Sequence, residues 1–107
     1  MKSAAAKRQE LRYTALPTDD WTNVTENPSS GDVIVICDVL ISSNIGSSLM
    51  QFRQYNGSTT SMVWVVATAS DRSEQIHWTQ PVHLKEGYRL QVSASNNSYC
   101  SVNYYVI

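Results

Sequence analysis

Tyr88-Arg89-Leu90-Gln91-Val92-Ser93-Ala94 is the stretch on which the fold turns. Tyr88, Leu90, Val92 and Ala94 fall on every second position, with Arg89, Gln91 and Ser93 between them. A period of two puts alternate side chains on opposite faces of an extended chain, so the segment predicts a strand with one face on a core and the other toward solvent. Gly87 before it and Asn96-Asn97-Ser98 after it supply the turns that bound such a strand.

Working outward, Tyr99 to Ile107 reads as a terminal strand, and Val82 to Gly87 as a short strand and turn. Pro81 lacks the N–H that a ladder needs, so it is expected to end the strand from Ser73 to Thr79. Thr60 to Ala69 carries Met62, Trp64 and Val66 on one face and Val63, Val65 and Ala67 on the other, which predicts a strand covered on both sides. Leu49 to Tyr55 alternates and breaks at Asn56-Gly57, a dipeptide suited to a tight hairpin. Val33 to Ile41 is rich in β-branched residues and bounded by Ser29-Ser30-Gly31 and Ser42-Ser43-Asn44, the pattern of a well-buried strand. Six or seven strands with turns at roughly 8–12-residue spacing predict an all-β, antiparallel β-sandwich.

The leading residues differ. Ala4, Ala5, Ala6, Lys7, Gln9, Glu10 and Leu11 are good helix formers in a segment too short to hold a helix alone. Pro17, Asp19, Asp20, Asn27, Pro28 and Gly31 then punctuate an irregular stretch in which Trp21 to Thr25 could form one edge strand. The expected division is an N-terminal arm, extended or briefly helical, over 1–30 (basic over 1–12, irregular over 13–30), and a sandwich domain over 31–107.

Charge separates the same two parts. Lys2, Lys7, Arg8 and Arg12 against Glu10 give the first twelve residues a charge of +3, and the remainder sums to −4 within a net charge of −1. Such an arm suits an acidic partner surface. No basic patch interleaved with aromatics follows, which argues against nucleic-acid binding by the sandwich. Charged residues make up 16% of the chain against the usual ~25%, and Ser, Thr, Asn and Gln replace them, as on proteins whose surfaces meet other proteins.

Enzyme chemistry finds little support. His77 and His83 are the two histidines, Cys37 and Cys100 the two cysteines, and neither pair has metal-ligand spacing. There is no nucleophile elbow, phosphate-cradling glycine loop or carboxylate pair, so no catalytic residue, cofactor or metal is expected. Cys37 and Cys100 both fall in apolar strand patterns and read as buried free thiols, a single disulfide being the alternative. Met1 to Glu10 lacks the apolar stretch of about 7–15 residues that a secretory signal requires, and no run approaches a membrane helix, so neither a signal peptide nor a transmembrane segment is expected. Trp21 and Trp78 are not accounted for by the core pattern and are expected at a partner interface.

The run Val33-Ile34-Val35-Ile36-Cys37-Asp38-Val39-Leu40-Ile41-Ser42-Ser43-Asn44, followed by an alternating strand and by Pro81-Val82-His83-Leu84-Lys85-Glu86-Gly87-Tyr88-Arg89-Leu90-Gln91-Val92, resembles the small β-sandwich virion proteins of tailed bacteriophages. The resemblance covers about residues 31–107, and the leading 30-residue segment departs from it. It implies a jelly-roll-like arrangement of the sandwich and a non-enzymatic virion component, such as a capsid decoration, head-fibre, collar or tail accessory protein. It further implies a homo-oligomer, a homotrimer being favoured, docked on other virion proteins such as the major capsid protein. Partner contacts are then expected from Lys2, Lys7, Arg8, Arg12, Trp21 and Trp78. The alternative is a carbohydrate- or receptor-binding sandwich that uses exposed Trp and Tyr.

Overall fold

The computed structural model describes residues 8–43, 48–68 and 73–107. Eight strands form: β1 (Arg8–Leu16), β2 (Thr22–Asn23), β3 (Ile34–Ser43), β4 (Ser48–Tyr55), β5 (Thr60–Thr68), β6 (Ser73–His83), β7 (Arg89–Ala94) and β8 (Ser98–Val106). They make two four-stranded sheets, ordered β1-β8-β3-β6 and β2-β7-β4-β5, with every pairing antiparallel. First pairs with last, second with seventh, third with sixth and fourth with fifth, as if one long hairpin had been rolled over itself. That nesting is the jelly roll, and it settles the all-β sandwich expected from the sequence.

The core follows from period two. Ile34, Ile36, Val39 and Ile41 of β3 and Cys100, Val102, Tyr104 and Val106 of β8 face Met50 and Phe52 of β4 and Leu90, Val92 and Ala94 of β7. All are buried, and Phe52 stacks on the half-buried Trp64 of β5 at 4.5 Å between ring centroids. Tyr104 keeps its polar tip satisfied by accepting from the Glu26 N–H at 3.2 Å and donating to the Glu26 carboxylate at 3.4 Å. Buried tyrosines need such a partner.

Three expectations change. The arm-to-sandwich boundary at Gly31 does not divide the molecule, because Arg8–Leu16 is a strand of one sheet and Thr22–Asn23 of the other. Its register runs from Arg8 opposite Val106 to Leu16 opposite Ser98. Nine rungs of ladder with β8 override the weak helix preference of residues 8–11, so these are extended rather than helical. Residues 13–30 are likewise tied down: the N–H of Asp19 donates to the Ala94 carbonyl at 2.7 Å, that of Val24 to the Leu90 carbonyl at 3.1 Å, and that of Leu90 to the Thr25 hydroxyl at 3.0 Å.

Second, Pro81 does not end its strand. β6 continues to His83 because Trp78 to Pro81 all lie opposite Cys37, between the Asp38–His77 and Ile36–Val82 pairs. A proline is tolerated at such a bulge, where its missing N–H has no ladder partner to disappoint. Third, β5 is an edge strand, with Met62 and Val65 each 53% exposed, rather than covered on both faces. Val63 is an extra residue between the Phe52–Trp64 and Arg53–Met62 pairs, which moves Met62 to the outer face.

The hairpin at Asn56-Gly57 spans Asn56 to Thr59 between the paired Tyr55 and Thr60. The Asn56 side-chain oxygen accepts from the N–H groups of Ser58 and Thr59 at 3.0 and 2.7 Å, and Gly57 supplies a φ of 103° that a side chain would strain.

Candidate interaction surfaces

Strand pairing brings together side chains far apart in sequence on the outer face of β2-β7-β4. Phe52, Leu90 and Val92 point to the core, so their neighbours Arg53, Arg89 and Gln91 point the other way. Arg53 stands opposite Gln91, Gln91 opposite Asn23, and Tyr55 opposite Arg89. The Arg53 Nε donates to the Gln91 side-chain oxygen at 2.8 Å, and the Gln91 amide donates to that of Asn23 at the same distance. This relay of side chains fastens the two-residue β2 to the sheet.

Aromatic rings flank the guanidinium groups. The Arg53 Cζ lies 4.0 Å from the Trp21 ring centroid and 5.4 Å from that of Tyr55, and the Arg89 Cζ lies 4.8 Å from Tyr55. Each such contact contributes about 0.5–1 kcal/mol where water competes. Two like charges thus share one ring, and neither forms an ion pair with a carboxylate among the described residues. The Arg89 Nε is buried without a hydrogen-bond acceptor. A buried donor left without an acceptor costs about 1–3 kcal/mol.

A second surface lies at β5 and the adjoining part of β4. Leu49, Met62 and Val65 are three of the five large apolar side chains exposed among the described residues, at 47%, 53% and 53%. Gln51 lies opposite Val65 in register. Thr60–Thr68 holds no charged residue.

The residues singled out from sequence scatter. Lys2 and Lys7 lie outside the described residues. Arg8 and Arg12 are on β1 opposite Val106 and Val102, so they belong to a sheet and not to a free arm, and the Arg12 side chain is half-buried. Trp21 joins the cationic face just described. Trp78 has its backbone in the β6 bulge, in the opposite sheet, and its side chain lies outside the described residues. Sequence reasoning passed over Arg53 and Arg89. Their alternation with Phe52, Leu90 and Val92 marks them as outward-facing, but only cross-strand register shows that they meet.

Burial, then the neighbouring Asp38 carboxylate, raises the Cys37 thiol, while burial pushes Cys100 up to about 12. Both are free thiols: Cys100 is buried as expected, but Cys37 is only half-buried, because as the bulge residue of β3 it leaves the core-facing series. No group of three or more His, Cys, Asp or Glu among the described residues could hold a metal ion. No helix among them is long and apolar enough to cross a membrane.

No protein-family model matches this chain, and no curated protein matches it. Among solved structures, a chain from Bacillus endospore appendages, described as a novel family of disulfide-linked pili, aligns over 98% of this chain and 96% of that chain, at a TM-score of 0.44 and 10% identity. The fold assignment rests on the strand pairing above and not on this likeness.

Proposed function

We propose that this protein is a non-enzymatic structural subunit that self-associates through β5 and the outer face beside it. One observation carries the reading: a nine-residue edge strand without charge, bordered by exposed Leu49, Met62 and Val65. Exposed edges invite another chain, and proteins kept monomeric blunt them with charge, proline, bulges or brevity. The other edges follow that rule. β1 carries Arg8, Glu10 and Arg12, β6 contains Pro81 and a four-residue bulge, and β2 is two residues long. β5 has its bulge at Val63, yet Trp64–Thr68 beyond it stays regular and apolar.

The setting we favour is the virion of a tailed phage, with the chain as a decoration, head-fibre, collar or tail accessory protein on the major capsid protein. The resemblance of residues 31–107 supports that setting, and a surface low in charge suits it. A homotrimer brings three Leu49–Met62–Val65 surfaces to one axis, which suits an apolar patch on a sheet face. The mass of the purified protein by sedimentation or light scattering is the test. A trimer that Val65→Lys converts to a folded monomer supports the reading, and a monomer for the unaltered protein at high micromolar concentration sinks it.

A further inference from the structure

We propose that the outer face of β2-β7-β4 is a binding site for an acidic saccharide, with Arg53 and Arg89 receiving its carboxylates. The site adjoins the self-association surface, with Arg53 opposite Met62 and Gln51 opposite Val65, but uses no residue of β5. Its basis is charge without a counter-charge. Both guanidinium carbons lie within 5.4 Å of the Tyr55 ring centroid, and neither forms an ion pair with a described carboxylate. The outward positions of β4 and β7, namely Leu49, Gln51, Arg53, Tyr55, Arg89, Gln91 and Ser93, include no acid at all. In a chain of net charge −1 these positions carry two cations and no anion.

The groups are also held in place before any ligand arrives. The Nε of Arg53 is committed to Gln91 at 2.8 Å, and its plane is backed by Trp21 at 4.0 Å. Its terminal N–H groups, which form the fork that matches a carboxylate, have no hydrogen-bond partner among the described residues. The Arg89 side chain sits against Tyr55, its Nε without an acceptor among the described residues.

The chemistry of the face selects among polyanions. β7 and β4 are paired on both edges, so their backbone groups are spent within the sheets and an acidic peptide would find no ladder to join. A uronate ring presents one carboxylate among several hydroxyls, and the neutral side chains Gln51 and Ser93 beside the arginines offer partners to those hydroxyls. Single-stranded nucleic acid would need bases to stack on open rings, whereas here a guanidinium already covers one face of Trp21.

Calorimetric titration of the full chain with trigalacturonate at low ionic strength tests this, with neutral galactotriose and oligothymidylate as parallel ligands. Expected is saturable binding of trigalacturonate, none of galactotriose, and a loss of about ten-fold or more in affinity for each of Arg53→Gln and Arg89→Gln with unchanged circular dichroism. Competition by excess inorganic sulfate on the unaltered protein reads the same site should a variant fail to fold, and displacement is expected. Absent binding, equal binding of the two sugars, variants that bind as well as the parent, a sulfate-insensitive titration, or tighter binding of oligothymidylate would each overturn the proposal.

Discussion

β1 and β5 are both nine-residue edge strands, one in each sheet, and they solve the same problem in opposite ways. β1 alternates charge into its exposed ladder, with Arg8, Glu10 and Arg12 in its first five residues. β5 offers Thr, Ser, Met, Val, Trp and Ala only. Among the described side chains, β1 holds to the core through Leu16, and β5 through Val63, Val66 and Trp64, the last stacked on Phe52. Edge position alone therefore does not decide whether a strand is open to a partner; the side chains along it do.

The largest expected effect is on what anchors β5. Phe52→Ala removes the ring on which Trp64 lies and should cost about 3–5 kcal/mol, read by urea unfolding, with amide exchange rising first in Thr60–Thr68. Leu16→Ala should cost less, about 2–3 kcal/mol, since β1 keeps its ladder with β8, and a loss equal to that of Phe52→Ala would erase the distinction between the two anchors. Asn56→Ala removes the oxygen that gathers two backbone N–H groups of the hairpin and should cost about 1–2 kcal/mol in the same measurement.

The smallest effects on stability are the most informative about the edges. Val65→Lys should leave unfolding within about 0.5 kcal/mol of the parent while abolishing self-association in sedimentation. Conversely, replacing Arg8, Glu10 and Arg12 together by threonine should add a new, larger species, because it gives β1 the character of β5. If the triple variant keeps the parent's mass, charge is not what protects β1.

The β3, β4, β5, β7 and β8 strands could be read from sequence because their apolar residues either alternate or run continuously between turn residues. Residues 8–16 could not, since Arg8, Gln9, Glu10 and Leu11 favour a helix over a strand and only the partner β8, about ninety residues away in the chain, makes them extended. Continuation of β6 past Pro81 was hidden for the same reason, as a bulge exists only relative to a neighbour. Of the binding face, Trp21 stood out as an aromatic without a core role. Arg53 and Arg89 looked like isolated charges until the Tyr55–Arg89 and Arg53–Gln91 rungs placed them on one surface.

Nested pairing also dictates an order of events in time. Only β4 and β5 pair across a short loop, Asn56 to Thr59, while β1 must find β8 from the far end of the chain. Closing a short loop first shortens the effective length of every loop outside it, so we predict folding that starts at this hairpin and zips outward, on the slow millisecond-to-second scale of chains dominated by distant contacts. Substitutions in the hairpin such as Asn56→Ala should then slow refolding, and those in the β1–β8 ladder should chiefly speed unfolding, in stopped-flow kinetics. The reverse assignment of rates would show that the roll closes from its ends.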